Sequence, residues 1–550
     1  MRKNLVTIFL FVVMLVPSAA FAQTVKVSSK ERKMAETIKA DQLSNWLHFI
    51  ASDAMAGRDT PSQGLDVTAE FLKMKLSRWG FKPAGDDGTF FQKIALSMTS
   101  IDPKDNSLVL NGQKYDLVQD FFRISGDNTA EGSLVFGGNG WMVKAKNIDA
   151  FNGVDVRGKI VVLYDGGFPN RNQLTRMPEG VTQADLTGTK GTDWADPLTY
   201  AAQKGAVGII MVASDELQNS WAQIGRFLGR GGMVMDKLSP APQGASLPVA
   251  LVSTKIRDVI FAGESGNISS KTAFAINKTA KLETKARSER KWTQNVVALW
   301  EGSDPVLKNE MVAIGAHYDH VGVNENAPGE DKIWNGADDD GSGTVAVLAI
   351  AEALAKAPKR PKRSVLLVWH TAEEKGLLGA NYFNKFPTVD IKNVIAQLNI
   401  DMIGRSRTPE NAIPCDQPRK RCNDELAGPN EVYVIGADMM SSTLGTITKG
   451  TNSAYLKMDY NFKYDDPKDP NRFFFRSDHF HYAQNGIPIA FWFTGVHEDY
   501  HQPEDHADKI DYAKYEKITR TIFMTMWKLS DLKERPKIDK QLPPELTGSR

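Results

Sequence analysis

Cysteine is nearly absent: the chain of 550 residues holds two, Cys415 and Cys422. That excludes a disulfide-framed scaffold and any cysteine-built zinc module. Net charge is nearly absent as well. The 67 basic residues face 66 acidic ones, a formal charge of +1, so no electrostatic argument points to nucleic acid or an anionic membrane as partner. Past the N-terminal segment no apolar run approaches the ~20 residues of a membrane span. Internal repeats and low-complexity tracts are missing. Histidine is scarce and lopsided: of nine, only His48 precedes residue 300, and the others run from His317 to His506. Whatever chemistry imidazole supplies is expected in the C-terminal half.

What is present is ordinary globular composition, 41% hydrophobic and 24% charged, in a chain too long for one simple core. The first residues form an export signal pattern. Arg2 and Lys3 are a basic start, Leu5 to Val16 is apolar, and Ala20-Phe21-Ala22 is a small-x-small cleavage site. Residues 1–22 therefore read as a cleaved signal peptide, and the mature protein is expected to be exported, periplasmic or extracellular. In such a compartment Cys415 and Cys422 are expected to close a small disulfide loop, the alternative being two free thiols on a loop.

Three textures follow. Residues 31–97 read as mainly helical, with apolar residues at helical spacing ending at Trp79-Gly80. From about 105 short β-rich runs alternate with Gly and Asn/Asp turns, among them Lys159 to Tyr164 and Gly205 to Val212. From about 290 apolar runs alternate with helices, the pattern of an open, largely parallel sheet. Those runs are Asn295 to Leu299, Met311 to Ile314, Val365 to Trp369, Val394 to Leu398, Val432 to Ile435 and Ile489 to Phe493. The expected division is 23–109 as the N-terminal part of a catalytic domain, 110–288 as an insertion, 289–535 as the catalytic domain proper and 536–550 as a flexible tail.

In open α/β sheets ligands gather beyond the carboxyl ends of the strands, and polar motifs stand there. His317-Tyr318-Asp319-His320 follows the second run; a carboxylate two residues from an imidazole suits a metal ligand and its orienter. Gly336-Ala337-Asp338-Asp339-Asp340-Gly341 places three adjacent carboxylates before an apolar helix, which demands cations, solvent or caps. His370-Thr371-Ala372-Glu373-Glu374 ends the third run with two carboxylates, one free to bind a metal and the other to take a proton. Asp401, between apolar neighbours, needs a partner. The last run leads to His497-Glu498-Asp499-Tyr500-His501-Gln502-Pro503, where the proline argues for a loop. A zinc helix of the His-Glu-x-x-His type is absent. Each motif alone also reads as a solvated loop or a helix start.

Together and in this order, the motifs resemble the secreted bacterial double-zinc aminopeptidases, whose wider family includes glutamate carboxypeptidase, transferrin receptor and glutaminyl cyclase. The resemblance covers about residues 35–97 and 290–530. It implies two zinc ions per chain, one held by His317, Asp339 and Asp401, the other by Asp339, Glu374 and His501, with Asp339 bridging. It makes Glu373 the general base for a metal-activated water, Asp319 the orienter of His317, Tyr500 a donor to the oxyanion and Arg476, in Arg476-Ser477-Asp478-His479, a substrate-facing residue. The implied activity is hydrolysis of N-terminal residues from peptides. Rivals are a carboxypeptidase or dipeptidase of the same family and a glutaminyl cyclase-like acyl transferase; a receptor without activity should have lost ligands. Val156 to Tyr164 and Ala201 to Val212 resemble a protease-associated domain, expected to overhang the cleft and restrict large substrates.

Overall fold

The structure, a computed structural model, describes residues 25–167, 174–228, 231–239, 247–414 and 422–547. The expected signal peptide and Cys415 lie outside these residues; Cys422 lies within them and is not a free thiol. No helix among the described residues is long and apolar enough to cross a membrane. The chain forms two compact units, one of residues 1–93 with 294–550 and one of residues 94–293.

The first unit is a mixed α/β fold around an open sheet. Its order runs Arg287–Trp300, Ser364–His370, Met311–His317, Val394–Ile400, Ile489–Phe493, Glu431–Ile435, Asp459–Asn461. The four strands from Ser364–His370 through Ile489–Phe493 are mutually parallel. Antiparallel partners flank them on both sides, Val296–Trp300 on one and Tyr433–Ile435 on the other. Parallel strands are buried on both faces, so they read as continuous apolar runs rather than as alternation. The pleat then sends successive residues to opposite cores. Val312, Ile314, Val365, Leu367 and Trp369 join one apolar cluster with the helices Ala40–Ile50, Gln63–Arg78, Gly343–Lys356 and Tyr512–Ser530. Met311, Ala313, Leu366 and Val368 join the other, with Phe383 of Leu378–Lys385 and Phe480 of His479–Gln484.

Capping fixes where two of these helices begin. Ser62 Oγ accepts the Leu65 N–H at 3.2 Å and Asp511 Oδ1 accepts the Lys514 N–H at 3.1 Å, satisfying donors that the first turn leaves open. The helix Gly343–Lys356, by contrast, is buried almost all round.

The second unit holds an eight-stranded mixed sheet whose centre, Thr129–Phe136, Ile160–Leu163, Gly208–Val212 and Val249–Val252, is parallel. Alternate residues again feed two clusters, Val161 and Leu163 on one face and Ile160 and Val162 on the other.

Three features depart from the sequence reading. The insertion begins at Ile94 and ends at Thr293, not at 110 and 288, because Ser107–Leu110 pairs with Phe274–Glu283 in the eight-stranded sheet. Phe91–Ser100, placed in a mainly helical stretch, is a strand, with Gln92, Ile94 and Leu96 buried at period two. The tail is not loose over its described part. Leu546 is 2% exposed in an apolar cluster, and Asp539 accepts the Ser442 N–H at 2.9 Å.

Candidate metal centre

The carboxyl ends of the four parallel strands deliver the site. Met311–His317 ends on His317, Ser364–His370 is followed by Glu373 and Glu374, Val394–Ile400 by Asp401, and Ile489–Phe493 by the loop reaching His501. Ala372, Met402 and His501 have φ near +54° to +55°, a left-handed conformation that costs a non-glycine residue and is common where loops are held for function.

The three consecutive aspartates divide their work. Asp340 is fully buried and clamps main chain: Oδ2 accepts the His317 N–H at 3.1 Å, and Oδ1 accepts those of Gly343 at 2.9 Å and Met402 at 3.1 Å. Asp338 accepts the Gly404 N–H at 2.6 Å and faces His497 Nε2 at 3.4 Å. Asp339 alone turns both oxygens inward. Its Oδ1 lies 3.3 Å from His317 Nε2 and its Oδ2 3.1 Å from His501 Nε2. The Asp505 carboxylate holds the loop by accepting the N–H groups of Asp338 and Asp339 at 3.0 and 3.1 Å.

Two sets of donors converge on Asp339. In the first, His317 Nε2 lies 3.7 Å from Asp401 Oδ2, and ligand atoms of His317, Asp339 and Asp401 all fall within 4.8 Å of one another. His317 Nδ1 donates to the main-chain carbonyl of Asp319 at 3.1 Å, which leaves Nε2 with its lone pair toward the carboxylates. The Asp319 carboxylate is farther from that nitrogen, at 3.6 Å, and accepts the Glu373 N–H at 3.0 Å. Asp319 thus touches His317 mainly through its backbone, while its side chain positions Glu373. In the second set, Glu374 Oε2 lies 2.9 Å from His501 Nε2, and Glu374 Oε1 lies 2.8 Å from His320 Nδ1.

The electrostatics are those of a largely buried, negatively charged cluster at the base of a cavity. Burial, reinforced by Glu374, Asp401 and Asp478, pushes Glu373 well above the usual carboxylate range, against the pull of His317. Burial also acts to raise Glu374, but His320 and His501 hold it below that range. His501 is lowered by burial yet raised to about 10 by Asp339 and Glu374.

The residues fit divalent metal. His501 Nε2, His320 Nδ1, Asp339 Oδ2 and Glu374 Oε1 are buried without a hydrogen-bond partner, although they approach one another at 2.8 to 3.7 Å. Unpaired buried polar atoms are costly unless a cation satisfies them. Oxygen and nitrogen donors of this kind suit zinc.

Above these groups is a cavity of about 240 Å³, walled on one side by Met402, Phe473, Phe491, Phe493 and Val496. Tyr500 stacks on His501 with ring centroids 4.0 Å apart. Burial, with the charges of Asp339 and Glu374, raises its phenol, so it stays protonated. Arg476 Nη2 donates to the Tyr500 hydroxyl at 3.3 Å, and the guanidinium lies over the Phe473 ring at 4.9 Å.

The structure thus brings His317, Asp339, Glu373, Glu374, Asp401, Arg476, Tyr500 and His501 to one cavity. Sequence reading missed His320 as a partner of Glu374, although it stands in the quoted His317-to-His320 motif. It also missed Arg58. Arg58 is fully buried and gives every hydrogen bond to main chain: Nε to Tyr318 O at 3.0 Å, Nη1 to Ile50 O and Asn335 O at 2.7 and 2.8 Å, and Nη2 to Gly336 O at 2.8 Å.

Comparison with known proteins agrees with this geometry. Residues 295–526 match the model of peptidase family M28. A probable leucine aminopeptidase 2 of Aspergillus oryzae is 32% identical over 236 residues, 42% of this chain and 40% of that protein. Leupeptin-inactivating enzyme 1 of Streptomyces exfoliatus is 28% identical over 216 residues, 39% of this chain and 38% of that protein. The chain therefore spans about two fifths of the length of these curated relatives. An aminopeptidase from Aneurinibacillus sp. strain AM-1 shares the fold, with a TM-score of 0.50 at 17% identity, covering 94% of this chain and 98% of that one. Strand order and loop positions agree with this match of residues 295–526 to peptidase family M28.

Proposed function

We propose that the protein is an exported zinc-dependent aminopeptidase that holds two ions per chain. The observation that carries this reading is Asp339, whose two oxygens face two separate donor sets. His317, Asp339 and Asp401 would hold one ion, and Asp339, Glu374 and His501 the other. Zinc bound there would polarise the scissile carbonyl as a Lewis acid and lower the pKa of a water.

The chain's own groups do the rest. Glu373 is buried beside the first donor set, its Oε2 3.9 Å from His317 Nε2, and the Asp319 carboxylate fixes its backbone. It is placed to take a proton from the attacking water and return it to the leaving amine. Tyr500, kept protonated and oriented by Arg476, donates to the oxygen that becomes negative. The apolar wall of Phe473, Phe491 and Phe493 shields the site and receives a substrate side chain. With all five ionised, the carboxylates of Asp319, Asp339, Glu373, Glu374 and Asp401 exceed the charge of two dications by about one unit, which favours a substrate ammonium. Export rests on the N-terminal signal pattern, and the inserted unit reads as a protease-associated domain on its sequence resemblance.

A second reading, a carboxypeptidase or dipeptidase, is favoured by one observation. Among the described residues no carboxylate pairs with Arg476 at the cavity, which leaves its guanidinium able to receive a substrate carboxylate. One assay separates the two. A dipeptide amide with a free amine is compared with its N-acetyl form and with a peptide carrying a free carboxylate. An aminopeptidase cleaves the free-amine substrate and loses at least ~30-fold in kcat/KM on acetylation, about 2 kcal/mol from a buried charge left unpaired. Equal cleavage of the acetylated peptide rejects the aminopeptidase reading, and preference for a free carboxylate moves it to the second.

A further inference from the structure

His320 has no role in the ligand sets above, yet it is among the most constrained side chains of the site. It is fully buried. Its Nδ1 stands 2.8 Å from Glu374 Oε1 and 3.7 Å from Asp339 Oδ2. Neither ring nitrogen has a hydrogen-bond partner, and neither do those two carboxylate oxygens. A nitrogen and an oxygen 2.8 Å apart would normally form a strong hydrogen bond, but this pair does not have hydrogen-bond geometry. Donor atoms that crowd together without bonding to each other are what a shared cation produces. Ligands ~2.0–2.1 Å from a tetrahedral zinc lie roughly 3.3 Å from one another. The two His320 distances, 2.8 and 3.7 Å, bracket that spacing, and ligand atoms of His320, Asp339 and Glu374 all lie within 4.8 Å of one another.

The local backbone is shaped to seat this ring. Gly336 has φ +56°, and a Cβ there would fall 2.5 Å from His320 Cγ and Cδ2, so any larger residue would displace the imidazole. The His320 N–H donates to Arg58 O at 3.1 Å, anchoring the main chain to the buried arginine. A histidine that merely filled the core would not need a glycine cleared beneath it, nor would it sit with both nitrogens unpaired against two carboxylates.

We propose that His320 Nδ1 is an additional ligand of the second metal, completing a set of two carboxylates and two imidazoles with Asp339, Glu374 and His501. The inference rests on the two-metal reading above. Four protein ligands close that site in the manner of a structural zinc, whereas the first, with three, keeps a position open. The second ion is then the tightly held one.

The test is metal binding. Wild-type protein, His320→Ala and His320→Gln are stripped with a chelator and titrated with zinc against a chromophoric competitor, then loaded with cobalt for visible absorption. Wild type is expected to bind two ions, one tightly. Both variants should weaken the tight class ~10–100-fold, leave the weaker class unchanged and alter the cobalt spectrum of one site. Apo unfolding midpoints show whether each variant folds; His320→Gln, closest in size, decides the matter should His320→Ala not fold. Two ions at wild-type affinities with an unchanged spectrum in the folded variants overturn the role of His320 while leaving the two-metal site standing. Fewer than two ions in wild type overturns the two-metal reading itself, and this inference with it.

Discussion

Replacing Arg58 with methionine tests whether the site is held by a single buried cation. The guanidinium bonds only main-chain carbonyls, and three of them belong to segments that carry site residues: Tyr318 O lies between His317 and Asp319, and Asn335 O and Gly336 O lead into Asp338 to Asp340. Burial lowers its pKa to about 10 from 12.5, even with Asp319, Asp505, Asp339 and Asp340 opposing that shift. The drop corresponds to about 3 kcal/mol that the fold spends keeping this charge inside. Against it stand four hydrogen bonds from a charged donor, each worth roughly 1.5–3 kcal/mol when its acceptor is left buried and unpaired. Methionine has a similar length but no donor. It therefore relieves the smaller cost and forfeits the larger gain, for a net loss of about 3–9 kcal/mol, a range whose lower part matches the removal of one partner from a buried charged network. Arg58→Lys should recover only part, because an ammonium cannot reproduce the planar fork. Urea unfolding of metal-free protein reads the loss, and metal titration reads the slackened loops. An Arg58→Met protein with wild-type midpoint, slope and metal affinity would refute the argument that main-chain bonds to this cation position the site.

Glu373→Gln should keep both metals, since Glu373 belongs to neither donor set, and lose roughly 10²–10⁴-fold in kcat; turnover near wild type with full metal content rejects its role as base. Asp465→Asn addresses pH rather than catalysis. Burial pushes Asp465 up to about 6 from 3.8, so the folded protein holds that proton more tightly than the unfolded chain. Its contribution to stability is greatest below pH ~4 and falls as pH rises to about 6, by roughly 3 kcal/mol. Asparagine keeps an acceptor for the Gly436 N–H, now 2.7 Å from Asp465 Oδ1, and removes the titration. The variant should gain on wild type between pH 4 and 7 in metal-free urea melts, and a constant difference across that range contradicts the assignment.

The parallel strands were legible because burial on both faces writes them as unbroken apolar runs. Apolar spacing places helices at Thr344 to Ala357 and Lys514 to Leu532, and the structure has them at Gly343–Lys356 and Tyr512–Ser530. Asp459–Asn461, a three-residue edge strand, carries too little pattern to announce itself. Phe91–Ser100 alternates at period two, but its polar and small residues, Gln92 and Ala95 among them, blur the signal. Within the site, spacing revealed that carboxylates stand at strand ends but not what each faces. Asp338, Asp339 and Asp340 are equivalent as sequence; their roles separate only where Gly404, His501 and Met402 arrive from distant segments. Arg58 shows the same limit. Its bonds to Tyr318, Asn335 and Gly336 reach 260 to 278 residues along the chain, and no local pattern marks a charged residue whose partners are carbonyls.

The way the chain leaves and re-enters the first unit has a consequence for folding. Asn295 Nδ2 donates to Gln92 Oε1 at 2.8 Å, and the Val297 N–H donates to Phe90 O at 2.7 Å. The points of departure and return are thus already neighbours within that unit. From the viewpoint of the first unit, residues 94–293 are one loop of 200 residues. Closing a loop costs entropy that grows only with the logarithm of its length, so shortening this one to ~10 residues would recover roughly 2–3 kcal/mol. Nascent chain must also wait for the whole excursion to be synthesised before Gln92 meets Asn295. At ~5–20 residues per second that delay is about 10–40 seconds, long enough for the excursion, with its own sheet and cores, to fold first.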